Sequence, residues 1–427
     1  METVCVVGLG YIGLPTAAIL AATGKHVVGV DLNEKILEAI NVGPLHVEEP
    51  GLLDLVVSCV ASGNLAAQDT PEVCDAYIIA VPTPLTVNLQ ADLQSVQAAA
   101  RSLVPFLRPG CLVVLESTSP PGTTSGLVQP ILEQSGLRAG VDFMLCYSPE
   151  RVLPGRIMVE LTQNDRVVGG INQISAQAGA ELYASFVTGE IIETDAITAE
   201  AVKLIENTFR DVNIALANEF ALIAETVGFN VWEAIRLANH HPRVRVLSPG
   251  PGVGGHCIAV DPWFLAQAAP GQSPLIQLAR RINDGMPEHV VELVRSTSIG
   301  RTPTEYVIAC LGMSFKADVD DIRESPAMRV IHLLTEEGYS LRCFDPHVKR
   351  LDPKFRSVTD LHAALSGADL LLLLVDHSEF RNLQPTQAWS MAGKQVIDTR
   401  GVLDAEFWVR SGFAVQVVGS HPSRKPD

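Results

Sequence analysis

Hydrophobic and polar positions predict strands that alternate with helices near the start of the chain. The apolar run Val4–Val7 is short and rich in β-branched residues, as in a buried parallel strand. An Ala- and Leu-rich stretch of helical character follows, and a second apolar run, His26–Val30, ends at Asp31. The segments "DAYIIAVPTP" and "GCLVVLESTSPPG" each pass from an apolar strand into a polar or proline-rich loop. This order indicates an α/β fold with a parallel sheet.

A similar pattern recurs near the end of the chain. "EYVIACLGMSFK" is a strand that runs into Gly312, and "LRCFDP" is a strand that ends in Asp345. "ADLLLLLVDHSEF" and "KQVIDTRG" complete four strands separated by helix-sized segments. A second nucleotide-type domain is therefore predicted from about residue 300. Its first loop lacks a full glycine signature but offers Phe315, Lys316 and Arg323, which suit a nucleotide phosphate and a neighbouring anion.

A long helix is predicted between these two patterns, over residues 198–228. It is free of proline, and at 1.5 Å per residue it reaches about 45 Å, enough to bridge two domains. Lys203, Asn207 and Arg210 follow i, i+4, i+7 spacing and share one face. That face is either a solvated stripe or a polar surface that looks into an interdomain cleft.

The first strand-to-helix turn reads G-x-G-x-x-G. Gly8 permits the tight turn, Gly10 lets a pyrophosphate approach the backbone at the helix N-terminus, and Gly13 lets helix and strand pack closely. Asp31, at the end of the second strand, suits an adenosine ribose and would repel a 2′-phosphate. The motif therefore predicts a dinucleotide site that prefers NAD to NADP.

These elements together predict two Rossmann-like doubly wound domains joined by a long central helix. A chain of 427 residues is too long for one hydrophobic core. We predict an NAD-binding domain over residues 1–196, a central helical domain over residues 197–300 and a sugar-nucleotide domain over residues 301–427.

Composition narrows the class of protein. The formal charge of −17 and the lack of a basic stripe argue against a nucleic-acid partner. No apolar run reaches 18 residues and no basic and apolar leader precedes the first strand, so neither a membrane span nor export is expected. The eight cysteines include no C-x-x-C pair, which favours a reducing cytoplasm.

The stretch "PGPGVGGHCIAVDPWF" contains the most suggestive cysteine, Cys257. Its glycines remove bulk where a substrate or cofactor ring could approach, and Asp261 follows at i+4. His256 is a ligand, a pKa perturber or an ordinary loop residue. The lack of a second cysteine or an H-x-x-x-H spacing disfavours zinc. A thiol beside an NAD site suggests capture of an aldehyde as a thiohemiacetal, which then loses hydride to give a thioester.

The motifs carry a family resemblance over nearly the whole chain. "VVGLGYIGLP", "AVPTP", "LESTSPPGTT", "YSPERVLPG", "AVKLIENTFRDVNIALANE", "GPGVGGHCIAVDPWFL" and "GMSFKADVDDIRESPAM" together resemble the UDP-glucose/GDP-mannose dehydrogenase family. The resemblance implies oxidation of a sugar C6 alcohol to a carboxylate with two NAD⁺ reduced in turn. "SPERVLPGR" and "HCIAVDPWF" are most similar to the branch of the family that acts on UDP-N-acetyl-D-mannosamine, so the resemblance implies this substrate and UDP-N-acetyl-D-mannosaminuronate as the product. UDP-glucose or another sugar nucleotide is the alternative.

The resemblance also implies roles for individual residues. Cys257 would hold the aldehyde, Lys203 would stabilise an oxyanion or shuttle a proton, and Asn207 would add a donor. Asp261 would position a water, and Glu150 would act as base in thioester hydrolysis. The division of base duties stays open. The implied catalytic residues are Cys257, Lys203, Asp261, Asn207, Glu150 and Thr118.

Binding residues and assembly are implied in the same way. Thr83 and Thr118 follow two predicted strands, at the edge where a doubly wound sheet binds its ligands. With the motif and the resemblance, the predicted cofactor-binding residues are Gly8, Gly10, Tyr11, Ile12, Gly13, Asp31, Thr83, Thr118 and Arg323. The implied residues for a UDP-sugar are Arg151, Val152, Lys203, Asn207, Arg210, His241, Arg243, Gly254, Phe315 and Lys316. No metal is expected, and the resemblance implies a homodimer built around the central helix.

Two rival functions stay open at this point. A two-electron dehydrogenase of the 6-phosphogluconate type also places a long helix after a Rossmann domain, but it needs no nucleophilic thiol. An NAD-responsive regulatory protein could keep the fold without the chemistry. The presence of Lys203, Asn207, Cys257 and Asp261 argues against that second rival.

Overall fold

The computed structural model describes residues 1–43, 45–47, 49–348 and 355–420. The chain divides into two units. Unit 1 comprises residues 1–206 and 263–270, and unit 2 comprises residues 207–262 and 271–427.

Unit 1 is built on an eight-stranded sheet. Its strands are β1 Thr3–Val7, β2 His26–Val30, β3 Leu65–Gln68, β4 Ala76–Ile79, β5 Leu112–Leu115, β6 Met144–Tyr147, β7 Arg166–Gly170 and β8 Ile191–Asp195. They lie in the order β3-β2-β1-β4-β5-β6-β7-β8, and all neighbouring pairs are parallel except β6 with β7. The first six strands have the doubly wound dinucleotide-binding order, in which ligands bind where the strand order reverses, between β1 and β4.

Both faces of this sheet are covered, which explains why its central strands read as continuous apolar runs. Val4 and Val6 face one buried cluster, whereas Cys5 and Val7 face the other. This alternation follows from the two-residue period of a strand. The edge strand β8 is mostly exposed or half-buried, so its sequence carries little apolar signal.

Unit 2 contains a five-stranded parallel sheet. Its strands are β9 Val307–Leu311, β10 Ser340–Phe344, β11 Leu370–Leu373, β12 Gln395–Asp398 and β13 Ala414–Val417. Their order is β10-β9-β11-β12-β13, the second common doubly wound order, with the switch point between β9 and β11. The fold class predicted from the sequence is confirmed.

The helices connect and cover these strands. They are α1 Gly13–Ala22, α2 Glu34–Val42, α3 Leu52–Ala61, α4 Gln94–Leu103, α5 Gln129–Leu132, α6 Ile157–Gln163, α7 Gln173–Tyr183, α8 Ala196–Val227, α9 Val231–Ala238, α10 Asp261–Ala268, α11 Pro274–Thr297, α12 Pro326–Glu336, α13 Leu361–Leu365, α14 Ser378–Arg381 and α15 Ala405–Arg410. The long helix α8 contributes residues to both units and begins two residues before the predicted start. Asp195 precedes it and accepts hydrogen bonds from the Thr198 amide and hydroxyl, which stabilises this earlier helix start.

The sequence pattern missed several strands. In unit 2 it predicted four strands, and the structure adds the short strand β13 at the edge of the sheet. In unit 1 it did not predict β3, β7 or β8. Two of these, β3 and β8, carry exposed or half-buried positions that dilute the apolar signal.

Candidate active site

The three glycines of the turn after β1 differ in their surroundings. Gly8 has a φ of 95°, and a Cβ there would lie 2.6 Å from the carbonyl oxygen of Ala80. A Cβ on Gly13 would lie only 1.7 Å from the carbonyl oxygen of Gly8. Gly10 has no atom within 4 Å of its added Cβ. Packing within the chain therefore requires glycine at positions 8 and 13. At Gly10 the chain leaves open space, so glycine is needed there only if a ligand approaches the backbone.

Asp31 ties this turn to the end of β2. One carboxylate oxygen accepts a hydrogen bond from the Leu9 amide at 2.9 Å, and the other accepts from the Asn33 amide at 2.9 Å. His46 Nε2 lies 2.8 Å from the Leu9 carbonyl oxygen and braces the same turn. Asp31 is half-buried. Since each oxygen has a second lone pair, the carboxylate can still accept hydrogen bonds from a ribose, so the site fits a dinucleotide.

Lys203 and Thr118 come together within unit 1. The Lys203 ammonium on α8 donates to the Thr118 hydroxyl at 2.6 Å, and the Thr118 carbonyl accepts from the Thr83 hydroxyl at 2.7 Å. Thr83 and Thr118 follow β4 and β5, so the two loops at the carboxyl edge of the sheet are joined. This places a cation at the edge where a doubly wound sheet binds its ligands.

Glu150 follows β6 and is 6% exposed. Its carboxylate accepts from the Arg151 amide at 2.7 Å and from the Arg166 guanidinium at 2.9 Å. The Arg166 guanidinium also donates to Glu116 at 2.5 Å. Sequence reasoning missed Glu116 and Arg166. A signal existed, because each is a charged residue inside or beside an otherwise apolar strand, where an unpaired charge would be costly.

Asn207 and Asp261 come together within unit 2. The Asn207 side-chain amide donates to the Asp261 carboxylate at 2.6 Å, and Asp261 is 2% exposed. The Asp261 backbone amide donates to the Cys257 carbonyl at 2.8 Å, and the Val260 amide donates to the same oxygen at 3.0 Å. A turn thus carries half-buried Cys257 directly into the start of α10. No disulfide joins any of the eight cysteines, all of which lie in the described ranges.

The glycines before Cys257 pack against atoms of this chain. A Cβ on Gly254 would lie 2.2 Å from the Glu324 carbonyl oxygen, and one on Gly255, which has a φ of 84°, would lie 2.8 Å from the Phe315 ring. A Cβ on Gly250 would lie 2.3 Å from Arg400. The Glu324 backbone and the Phe315 ring leave no room for a Cβ, so packing within unit 2 is a further reason for glycine at positions 254 and 255.

The other predicted binding residues differ in their surroundings. Arg151 pairs with Glu206 at 2.8 Å, and Arg323 pairs with Asp321 at 2.6 Å. The exposed predicted residues are Tyr11, Arg210, His241, Arg243 and Arg323. The half-buried ones are Ile12, Val152, Gly254, Phe315 and Lys316. Unit 1 holds the glycine turn, Thr118, Glu150 and Lys203, and unit 2 holds Asn207, Cys257, Asp261, Phe315 and Lys316.

Asp345 occupies the place in unit 2 that Asp31 occupies in unit 1, but it is fully engaged. Its carboxylate accepts from the Met313 amide at 2.6 Å, from the His347 amide at 2.9 Å and from the buried His377 ring at 3.0 Å. Although burial opposes ionisation, these donors lower the pKa of Asp345 to about 2. The carboxylate therefore serves the fold.

Asp318, His347 and His377 have potential ligand atoms within 4.8 Å of one another. The His377 Nδ1 atom accepts from the Asp318 amide at 2.9 Å, and its Nε2 atom bonds Asp345. Both ring nitrogens of His377 are thus engaged, so the group is explained by hydrogen bonding within the unit.

Family models match three consecutive parts of the chain. The NAD binding domain of the UDP-glucose/GDP-mannose dehydrogenase family matches residues 2–187, its central domain matches 197–285 and its UDP binding domain matches 309–405. The chain belongs to the UDP-glucose/GDP-mannose dehydrogenase family. It is an NAD-dependent nucleotide-sugar dehydrogenase.

Individual relatives of this dehydrogenase cover almost the full chain. It is 48% identical over 417 residues to an NDP-N-acetyl-D-galactosaminuronic acid dehydrogenase of Ralstonia nicotianae, covering 95% of this chain and 97% of the relative. It is 44% identical over 428 residues to a UDP-N-acetyl-D-mannosamine dehydrogenase of Methanocaldococcus jannaschii, covering 98% and 96%. The structure of a UDP-D-ManNAc dehydrogenase from Pyrococcus horikoshii is similar, with a TM-score of 0.91, 40% identity and coverage of 98% and 99%.

Among the described residues, no helix combines the length and apolar character needed to cross a bilayer.

Proposed function

We propose that this dehydrogenase oxidises UDP-N-acetyl-D-mannosamine at C6 to UDP-N-acetyl-D-mannosaminuronate. The observation that carries the proposal is the Cys257 turn, which leads into a buried Asp261 held by Asn207, in a chain of this family. The similarity to relatives named UDP-N-acetyl-D-mannosamine dehydrogenase supports the choice of sugar. The similarity to a relative named for N-acetyl-D-galactosaminuronic acid makes the N-acetyl-D-galactosamine nucleotide the second candidate.

The cofactor end of the proposal rests on the glycine turn and Asp31. The open backbone face at Gly10 suits a pyrophosphate, and the half-buried carboxylate of Asp31 suits an adenosine ribose. Bound NAD⁺ supplies the hydride acceptor for both oxidations. The Lys203 ammonium, held by Thr118, would stabilise the oxyanion that develops as C6 is oxidised.

In the proposed covalent chemistry, the sulfur of Cys257 forms one bond to C6 of the sugar. Its thiolate adds to the C6 aldehyde, and the carbonyl oxygen takes up a proton to give a thiohemiacetal. Loss of hydride and of the hydroxyl proton converts this adduct to a thioester. Water then adds to the carbonyl carbon, the carbon–sulfur bond breaks and the thiol is restored. The overall balance is RCH₂OH + 2 NAD⁺ + H₂O → RCOO⁻ + 2 NADH + 3 H⁺.

Two carboxylates would serve the hydrolysis. We propose that Glu150 removes the proton of the attacking water and that Asp261, oriented by Asn207, positions this water. Phe315 and Lys316 would contact the nucleotide part of the substrate.

The substrate proposal is tested with a panel of sugar nucleotides. The purified enzyme is assayed for NADH formed per sugar nucleotide consumed, with the UDP derivatives of N-acetylmannosamine, N-acetylgalactosamine, N-acetylglucosamine and glucose. We expect two NADH per molecule and the highest kcat/KM with UDP-N-acetylmannosamine. A higher kcat/KM with another member of the panel would overturn the choice of sugar. A ratio of one NADH would instead support two-electron chemistry.

The covalent step is tested with Cys257→Ala. Because covalent capture divides a difficult step into two easier ones, we expect carboxylate formation to fall by about three orders of magnitude or more. The matched control is Cys59→Ala, at a buried cysteine of α3, which should keep wild-type NADH stoichiometry. Carboxylate formation by Cys257→Ala at the wild-type rate would contradict the proposed mechanism.

We also propose a homodimer, supported by an apolar stripe on α8. Phe209, Leu216 and Ile223 recur every seven residues and are 65%, 43% and 43% exposed. A stripe of this kind is typical of a surface that pairs with another copy. Sedimentation of the wild type and of Phe209→Glu tests it, with loss of the dimer expected for the variant. A wild-type monomer at micromolar concentration would refute the proposal.

Two further proposals concern the domain boundaries and the cellular location. We propose the division 1–196, 197–300 and 301–427, and the separate family models for the three parts support it. We propose a reducing cytoplasm as the compartment, supported by the eight thiols that form no disulfide within the described residues. Limited proteolysis and cell fractionation respectively test these two points.

A further inference from the structure

A buried arginine lies directly behind Glu150. Arg166, on β7, is 5% exposed and directs each of its three nitrogens to a different oxygen atom. Its Nε donates to Ser148 Oγ at 2.9 Å, one terminal nitrogen donates to Glu150 at 2.9 Å and the other donates to Glu116 at 2.5 Å. The guanidinium carbon also lies 3.9 Å from the centre of the Tyr183 ring. The planar guanidinium of arginine can donate to three separate oxygens from three nitrogens, whereas the single nitrogen of a lysine ammonium cannot reach all three.

The cluster holds two carboxylates for one guanidinium. Glu116 is 2% exposed, and one of its oxygens also accepts from the Tyr183 hydroxyl at 2.6 Å. Its second oxygen has no hydrogen-bond partner among the described residues. Burial, opposed in part by Arg166 and reinforced by Glu150, raises the pKa of Glu116 to about 7. Because an excess buried charge is costly, one carboxylate of the pair is readily protonated.

Three further titratable neighbours of the cluster lie on α7, β6 and α8. Tyr183 on α7 stays neutral, since burial raises its pKa well above the usual value. Cys146 on β6 is also neutral, because burial raises the pKa of its thiol. Lys203 on α8 favours ionisation of Glu116. The protonation of Glu116 is therefore the charge change nearest to the Arg166–Glu150 pair.

We propose that Arg166 is a positioning residue that orients the Glu150 carboxylate for thioester hydrolysis. Glu116 accepts a hydrogen bond from the same guanidinium, and its charge adjusts the strength of Glu150 as a base. This inference rests on the role of Glu150 proposed above. When Glu116 is ionised it shares the arginine charge and repels the Glu150 carboxylate, which makes Glu150 the stronger base. When Glu116 is protonated, the arginine pairs more fully with Glu150 and weakens it.

If Arg166 only stabilised the fold, apolar residues could replace the buried charges. Well-packed apolar residues commonly give a core equal or greater stability than a buried ion pair does. In this cluster the cation instead contacts a carboxylate that is still 6% exposed, at the edge of the sheet where the cofactor and substrate residues of unit 1 lie. A role in orienting Glu150 accounts for both the burial of the charge and its position.

The positioning role is tested with Arg166→Lys. We expect hydrolysis of the Cys257 acyl intermediate to slow about 100-fold, since a misplaced base loses its near-attack geometry. The first NADH burst and the KM for the sugar nucleotide should stay within about threefold of wild type. Quenched flow with mass spectrometry of the intact enzyme measures the acyl intermediate. Arg138→Lys, at an arginine that is 72% exposed, is the matched control. Wild-type decay of the intermediate in Arg166→Lys would overturn the proposal.

The tuning role is tested with the isosteric Glu116→Gln, which also serves if Arg166→Lys does not fold. Glu116→Gln keeps this side chain neutral at every pH, so the rise in the rate of acyl-enzyme decay that wild type should show as the pH passes through about 7 should be absent from the variant. The rate of acyl-enzyme decay is measured from pH 5 to pH 9. A profile that superimposes on that of the wild type would refute the tuning role.

Glu150→Gln separates failure of this inference from failure of the proposed mechanism. If Glu150→Gln accumulates the acyl intermediate while Arg166→Lys and Glu116→Gln behave as wild type, the inference is wrong and the mechanism stands. If Glu150→Gln accumulates no acyl intermediate, the base role of Glu150 itself is wrong.

Discussion

Two alanine substitutions in one glycine turn should damage different properties of the protein. In Gly13→Ala the new Cβ would lie 1.7 Å from the Gly8 carbonyl oxygen and 2.9 Å from its carbonyl carbon. In Gly10→Ala the new Cβ would meet no atom within 4 Å, and the backbone at Gly10 lies outside the left-handed region. We therefore expect the first substitution to damage folding and the second to damage only NAD binding.

The magnitude follows from how far the structure would have to move. Real Cβ contacts essentially never fall below 3.0 Å, so Gly13→Ala requires a shift of at least 3.0 − 1.7 = 1.3 Å between backbone atoms. Helix α1 is buried along nearly its whole length, from Gly13 to Ala21, so it cannot move without opening the core. A gap of this size forfeits about half of the dispersion energy of the separated contacts. A loss of about 4 kcal/mol or more in the free energy of unfolding is expected.

Gly10→Ala is the matched control for stability. Since its methyl group enters open space, its free energy of unfolding should stay within about 1 kcal/mol of wild type. The same methyl group occupies the place where a pyrophosphate approaches the backbone, so NAD affinity should fall about 100-fold or more.

Urea unfolding followed by circular dichroism and calorimetric titration with NAD⁺ measure the two effects. A Gly13→Ala protein with wild-type stability would refute the packing argument. A Gly10→Ala protein that binds NAD⁺ with wild-type affinity would refute the assignment of this turn to the pyrophosphate.

Two further predictions concern unit 2. Because donors including His377 lower the pKa of Asp345 from 3.8 to about 2, its ionised form stabilises the fold above pH 4, and this contribution is lost as the pH falls through 2. Asp345→Asn should therefore lose roughly 2 kcal/mol of unfolding free energy at pH 7 and show a flatter acid limb in urea titrations; an unchanged acid limb would contradict this. Gly255→Ala, with its Cβ 2.8 Å from Phe315 and a φ of 84°, should lower kcat at least tenfold because the Cys257 turn is displaced, whereas the control Gly271→Ala, whose Cβ meets nothing within 4 Å, should not. Equal kcat values for the two variants would show that the turn tolerates displacement.

The glycine turn was predictable because its requirements are local. A tight turn, a helix start and an acid at the next strand end lie within about 30 residues, and short-range geometry alone demands Gly8, Gly13 and Asp31. The fold class was predictable for a similar reason, since strands buried on both faces must be continuously apolar. The edge strands β8 and β13 lack that requirement and were missed.

The Arg166 cluster was not predictable in the same way. Ser148, Glu150 and Arg166 are at most 18 residues apart along the chain, but Glu116 and Tyr183 are separated by 67 residues, and only the order of β5, β6 and β7 brings their side chains together. No short-range rule relates these positions. Similarly, the reason for Gly254 and Gly255 became visible only when Glu324 and Phe315 were seen against them.

The amino-acid sequence by itself determined the alternation of strands and helices and the dinucleotide turn, because periodicity and local backbone geometry depend on neighbouring residues. The tertiary structure decided which charges are paired, which carboxylates are buried and which glycines are held by packing. These properties depend on contacts between distant segments, and burial and electrostatic pairing act through space and not along the chain.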